Sequence, residues 1–296
     1  MSLLHRFLPR FPSAAPRGLS ISAGLRTLSA AAVVLAALAL PASAQFRGQR
    51  FLSDRGDVPE WTVDPAFPQD VFSFARLRYQ SWGGRGWGGW GRGRGRWATD
   101  APEADLNLSF RLQQMTSLKV NPNVTYIDIA PEQLAHHPFV YMAEPGRLEF
   151  TPDEVIALRN YLLNGGFLMV DDFWGDDEWE NFRGEMKRVF PDRDATELPI
   201  EHPVFHCVFD LKEKPQMPSI HHFLASGLTY ERPGTEQVSY RGIFDDRGRM
   251  MVIICHNTDL GDGWEREGED PTYFERFSEK MAYPMAINIL FYAMTH

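Results

Sequence analysis

The chain has 296 residues and a formal net charge of −9, with 39 acidic against 30 basic side chains. That balance makes it a poor partner for nucleic-acid phosphates in general, because their charge repels an acidic surface. About 250 residues follow the N-terminal targeting segment described next, enough for one large domain.

Residues 1–44 contain no acid, and they carry Arg6, Arg10, Arg17 and Arg26. An apolar run from Ala30 to Leu40 leads to Pro41 and Ala42-Ser43-Ala44. A basic region, an apolar region and a small-x-small site predict a signal peptide cleaved after Ala44. An uncleaved anchor is the competing reading, but the eleven apolar residues are too few to span a bilayer. The mature chain is therefore expected to be exported, periplasmic or extracellular, without a transmembrane span. Cleavage takes the formal charge from −9 to −13 by removing the four arginines.

Residues 45–66 read as a linker or an N-terminal arm, and residues 67–296 as a single α/β domain. Val71–Tyr79 (VFSFARLRY) predicts the first strand. Residues 81–97 (SWGGRGWGGWGRGRGRW) form a low-complexity Gly/Arg/Trp-rich loop. Its Gly84, Gly86 and Gly89 match G-x-G-x-x-G formally, but no helix begins there. Such a tract can stack on single-stranded nucleic acid; in an exported acidic protein the plainer reading is a surface loop. Ala101–Ser117 predicts a helix, Val124–Ile129 and Pro138–Ala143 strands.

Thr151 is a natural N-cap, Pro152 suits the first helical position, and Glu154 can reach back to the Thr151 amide. Val155, Ile156, Leu158, Tyr161, Leu162 and Leu163 form an apolar stripe at helical spacing. Asn164-Gly165-Gly166 supplies a left-handed stop. Phe167–Val170 is apolar without alternation, as in a strand buried on both faces. Asp171 and Asp172 end it, and Asp176 or Asp177 can cap the next helix. Strands alternating with helices predict βαβ units and a layered α/β domain.

Glu201–Asp210 (EHPVFHCVFD) places His202 and His206 four apart in what reads as a strand or turn-strand. His221 and His222, on an extended chain, would point opposite ways. Met250–Cys255 predicts a second buried strand, followed by His256, Asn257, Asp259, Asp262, Trp264 and Glu265. In open α/β sheets ligands sit beyond the carboxyl ends of the strands. If the two buried strands are neighbours, Asp171, Asp172, Asn257, Asp259 and Asp262 converge as ligand-binding candidates. Oxygen ligands favour Ca²⁺ or Mg²⁺. A mixed metal set would draw on Asp171, Asp172 and Asp259 with His202, His206 or His222. The competing reading is that these acids cap helices and satisfy loop amides. Cys207 and Cys255 lie in apolar stretches, either paired or free. Tyr273–Thr295 reads as two helical segments divided near Pro284.

Together FSFARLRY, ADLNLSFRLQQMTS, HPFVYM, NGGFLMVDDFWG, HPVFHCVFDL and NTDLGDGWE resemble the bacterial domain of unknown function 4159 over residues 70–295. The resemblance implies the fold of class I glutamine amidotransferase-like domains, a flavodoxin-like three-layer sandwich with a mostly parallel sheet. It brings no established activity. Amidotransferase relatives that are enzymes carry Gly-x-Cys-x-Gly and His-x-Glu; this chain has neither. Three functional readings follow. The favoured one is a non-catalytic domain that binds a small ligand or an envelope protein. The second is a metal-dependent hydrolase with a histidine base. The third is a cysteine hydrolase using Cys255.

Overall fold

The structure is a computed structural model that describes residues 58–66, 70–82 and 95–296. The signal-peptide reading of residues 1–44, most of the arm and positions 83–94 of the Gly/Arg/Trp-rich tract lie outside the described residues. Within the arm, Trp61 lies on the domain, with its indole N–H donating to the Val120 carbonyl at 2.7 Å and its ring against Phe110. No described helix is long and apolar enough to cross a membrane.

In chain order the elements are β1 (Ala75–Arg78), β2 (Gln80–Ser81), α1 (Glu103–Met115), β3 (Thr125–Asp128), α2 (Pro131–Leu134), β4 (Phe139–Ala143) and β5 (Leu148–Glu149). Then come α3 (Pro152–Leu163), β6 (Phe167–Asp171), α4 (Gly175–Val189), β7 (Thr196–Glu197), α5 (Ile220–Ser226), β8 (Ser239–Phe244), β9 (Met250–His256) and α6 (Leu260–Glu265). The chain ends in α7 (Pro271–Tyr273), a π-helical turn over Phe274–Ala282, and α8 (Tyr283–Thr295).

Seven strands form one sheet in the order β3-β1-β4-β6-β9-β8-β7. The first five are parallel, and β8 and β7 add an antiparallel edge. Numbered by their own succession, the parallel strands run 2-1-3-4-5, the flavodoxin-like order. The two apolar runs are neighbours, with Leu168 opposite Val252 and Val170 opposite Ile254. Alternation along the strands feeds two cores. Tyr141, Met169, Ile253 and Cys255 pack with α1 and α8, while Val140, Met142, Leu168, Val170 and Ile254 pack with α3 and α4. Covering both faces is what lets these strands be apolar throughout.

Helix α3 has the anticipated capping box. The Glu154 amide donates to Thr151 Oγ1, Glu154 Oε2 accepts from the Thr151 amide, and Gly165 (φ 106°) takes the left-handed stop. Three local expectations are corrected. Helix α4 is not capped by Asp176 or Asp177, which fall in its first turn. Its leading amides are satisfied otherwise: Glu178 Oε2, one turn into the helix, accepts from Trp174, and Asn257 Oδ1, from beyond β9, accepts from Gly175. Residues 201–210 form a 3₁₀ turn over Pro203–Phe205 and bends rather than a strand. Their amides are met by Asn288 of α8, whose Oδ1 accepts from both Val208 and Phe209. His221 and His222 lie on α5, not on an extended segment, because Asp262 Oδ2 accepts the Ile220 amide at the helix start.

Candidate metal centre

Four described non-glycine residues have a left-handed backbone: Asp100 (φ 61°), Glu144 (φ 49°), Asp172 (φ 59°) and Asn257 (φ 61°). Each follows a parallel strand at its carboxyl end, Asp100 in the connection leaving β1 and the others directly after β4, β6 and β9. Such conformations cost on the order of 1–3 kcal/mol each and persist where surrounding structure imposes them, commonly at functional sites.

Asp100 is placed by a buried arginine. Arg76 on β1 is fully buried. Its Nε and Nη2 bind Asp105 at 2.9–3.1 Å, and its Nη1 donates to the carbonyls of Trp97 (3.0 Å) and Thr99 (2.8 Å). The guanidinium also lies 4.9 Å over the Tyr141 ring. The backbone immediately before Asp100 is therefore fastened to the central sheet.

Asp172, directly after β6, and Asp259, at the N-cap of α6, bring carboxylate oxygens to within 4.8 Å of Asp100 and of each other. Asp262 and Glu265, on α6, form a second group with Asp100 at the same spacing. Asp100 belongs to both groups. Its Oδ2 is buried and accepts no hydrogen bond among the described residues. Burial first, and then the neighbouring acids, push Asp100, Asp172 and Asp259 well above the usual carboxylate range. Burial brings Asp262 up to about 6 against the Ile220 amide and Arg266. Burial and Asp262 bring Glu265 up to about 7. The only ion pairs these five acids make among the described residues are to Arg266, at 3.8 Å from Asp262 and 2.7 Å from Glu265.

A neighbouring set shows the contrast. Glu144, after β4, is pushed by burial to about 7 against the pull of Arg96. Arg96 bridges it to Glu178 at 3.1 and 3.2 Å, and Arg232 reaches the same Glu178 oxygen at 3.2 Å. Two carboxylates there meet two guanidinium groups, whereas Asp100, Asp172 and Asp259 make no ion pair among the described residues, and the pull of Arg76 on Asp100 is outweighed by burial and the neighbouring acids.

The residues singled out from sequence fall into distinct places. Asp172 and Asp259 join one acid group and Asp262 the other. Asp171 stands behind them as the last residue of β6. Its Oδ2 accepts from the Gly261 amide (3.0 Å) and the Tyr141 hydroxyl (3.3 Å), while burial still carries it to about 7. Asn257 is a structural tie: besides the Gly175 amide, its side chain holds the Gln237 carbonyl at 2.9 Å. None of His202, His206 and His222 belongs to either acid group. His202 Nδ1 accepts from the Val204 amide, and His206 binds Asp210 and the Ile200 carbonyl. His222 sits on α5 with a buried Nε2 that has no hydrogen-bond partner among the described residues. Cys207 and Cys255 are both free thiols. Burial and Asp171 push the Cys255 thiol well up, the reverse of an activated nucleophile.

Asp100 and Glu144 were not among the candidates read from sequence. The signal was present: both are acids in the connections beyond parallel strands, the position from which Asp172 and Asp259 were picked out.

The part-burial of three mutually close carboxylates fits a hard divalent cation with oxygen ligands, Ca²⁺ or Mg²⁺. The family model for a domain of unknown function, DUF4159, matches residues 73–294. No curated protein matches the chain.

Proposed function

The chain belongs to the DUF4159 family, and on that premise we propose that it is an exported binding domain whose working site is a divalent cation held by Asp100, Asp172 and Asp259. The observation that carries this reading is the gathering of their oxygens within 4.8 Å with no cationic side chain paired to them among the described residues. Asp259 Oδ1 accepts the Asp262 amide at 2.8 Å and Asp172 Oδ1 the Trp174 indole N–H at 3.4 Å, but buried carboxylates without a countercharge remain costly, and an ion of charge +2 removes that cost. The left-handed backbones of Asp100 and Asp172 support it, since the strain serves to aim side chains into one place. The basic and apolar pattern of residues 1–44 supports export. Three carboxylates fill part of a Ca²⁺ shell of six to eight oxygens, so the remaining positions are available to a small ligand or to an acidic group of an envelope partner. A histidine base has no support from the positions of His202, His206 and His222.

The test is calorimetric titration of the metal-free mature chain with Ca²⁺, Mg²⁺ and Mn²⁺, beside Asp100→Asn and Asp172→Asn. The expected result is saturable binding of at least one ion by the wild type, weakened at least tenfold in each folded variant. A wild type that stays folded and takes up none of the three ions at millimolar concentration overturns the proposal.

A further inference from the structure

Strands β8 and β9 are antiparallel neighbours, with Arg241 opposite Ile254 and Ile243 opposite Val252. Paired residues stand on one face of a sheet, here the face on which α4 packs. Strands β8 and β7 continue the sheet beyond β9. Between α4, β8 and the segment 193–195 lies a shallow groove of about 240 Å³, open to solvent along one side. Its floor is apolar: Phe182, Met186, Ile243 and Ile254 line it and are themselves buried. Trp179 lines it too, with its ring 3.9 Å from the Arg241 guanidinium.

The polar lining is cationic in an acidic chain. Arg183, Lys187 and Arg193 stand there against one acid, Asp194, whereas the whole chain has a net charge of −9. Arg183 and Lys187 are one turn apart on α4 and share the Asp194 carboxylate, at 3.7 Å and 2.8 Å. The hydrogen bond from Lys187 holds that carboxyl below its usual range. Asp194 is 65% exposed. The outer partners are exposed as well: Glu180 lies 3.5 Å from Arg183, and Asp246 2.9 Å from Arg193. Exposed pairs of this kind are weak, so a competing anion can replace them. Asp194 therefore marks a resting place for a carboxylate, held by two cations beside an apolar floor.

From this we infer that the groove binds a small aliphatic carboxylate. Its alkyl chain lies on Phe182, Met186, Ile243 and Ile254, and its carboxylate displaces Asp194 from Lys187 and Arg183. The volume is below the roughly 300–1,000 Å³ of drug-sized pockets, which suits a short alkyl chain and not a cofactor. A cationic head would meet three like charges. None of the lining residues belongs to the acid centre, so this inference stands apart from the cation reading.

The experiment titrates the mature chain with octanoate by calorimetry, beside octylammonium and butyrate. The Met186 methyl resonance, assigned with Met186→Leu, reports where the chain lies. Saturable uptake of one octanoate per chain with a shift at Met186 is expected, and at least tenfold weaker uptake of the other two. Arg183→Gln with Lys187→Gln is expected to weaken octanoate about tenfold, the worth of two exposed ion pairs, and Asp194→Asn to tighten it about threefold by removing the internal competitor. Circular dichroism checks that these surface variants stay folded. No saturable uptake at millimolar octanoate, or uptake that leaves Met186 unmoved, overturns the site. Equal uptake of octylammonium overturns recognition of the anion. An Asp194→Asn variant that binds no more tightly overturns the displacement.

Discussion

The Gly261 amide donates to Asp171 Oδ2 at 3.0 Å, while the same residue's missing Cβ leaves space for Asp100 Oδ2, which would otherwise lie 2.6 Å away. One residue thus ties the end of β6 to the start of α6 and leaves room for the carboxylate shared by both acid groups. Its substitution is expected to act on the site more than on the fold. Overpacking of this kind costs about 1–3 kcal/mol. If half or more falls on the placement of Asp100, Gly261→Ala binds Ca²⁺ about tenfold more weakly. Calorimetry on the folded variant checks this, and unchanged affinity refutes it.

Stability should fall as pH rises in the metal-free protein. Asp171, Glu144 and Glu265 are held up to about 7 and Asp262 to about 6, burial being the first cause in each case. Unfolded carboxyl groups titrate near 4. Across that interval the folded chain binds more protons than the unfolded one, so these groups contribute stability that is present below about pH 4 and is lost by about pH 7. His256 opposes this. Burial lowers it to about 4 and also lowers His137 and His202, so these contributions are lost as pH falls below the unfolded histidine value; the three are outnumbered by the four acids together with Asp100, Asp172 and Asp259, which burial likewise raises. The urea midpoint in chelator should be lower at pH 8 than at pH 5, and Ca²⁺ should restore more at pH 8. The opposite order would show that the acids are not buried as described.

Arg76 and Asp105 form a buried ion pair at 2.9 Å. Removing one member of such a pair costs about 3–5 kcal/mol, because the other charge is left buried alone. Arg76→Ala should therefore lower the urea midpoint sharply. A larger loss than in Asp105→Asn is expected, since Arg76 also satisfies the carbonyls of Trp97 and Thr99. Equal losses in the two variants would mean that the carbonyl contacts contribute little.

Asn257 combines a left-handed backbone with side-chain bonds to Gly175 and Gln237. Asn257→Ala loses the bonds and keeps a Cβ in an unfavourable conformation, a backbone penalty of about 1–2 kcal/mol. Asn257→Gly loses the same bonds without that penalty. Thermal denaturation should rank wild type above Asn257→Gly above Asn257→Ala. A reversed order of the two variants would show that the φ of 61° is not costly, since both lack the side-chain bonds.

Native alkylation should label Cys207 alone. Cys207 is exposed and Cys255 is buried in β9, so mass spectrometry after iodoacetamide treatment should find one adduct before unfolding and two after. Two adducts on the native protein would place Cys255 within reach of solvent.

The layered fold was legible because α3, β6 and β9 carry strong local signals. Thr151 and Glu154 mark a helix start, Gly165 a stop, and the two apolar runs fit strands covered on both faces. The site was legible only in part. Asp172, Asp259 and Asp262 could be placed at strand ends by rule, but their partner Asp100 follows a low-complexity tract, and its position depends on Arg76 reaching back from β1. Segment 201–210 misled for a similar reason. Its alternating apolar residues suggest a strand, but the partner for its amides is Asn288, about 80 residues later. Strand β8 passed unnoticed because Arg241 and Gly242 interrupt its pattern, and its pairing with β9 supplies what local preference does not.

The clamp made by Arg76 has a consequence for how the sequence can change. It grips the carbonyls of Trp97 and Thr99, downstream of the Gly/Arg/Trp-rich tract and just before Asp100. The register of Asp100 is tied to β1 by this grip, so a change in the number of residues between Trp82 and Gly95 need not move it. Gain or loss of a repeat in that tract, the kind of change replication slippage makes in Gly/Arg-rich sequence, is expected to leave the acid cluster in place.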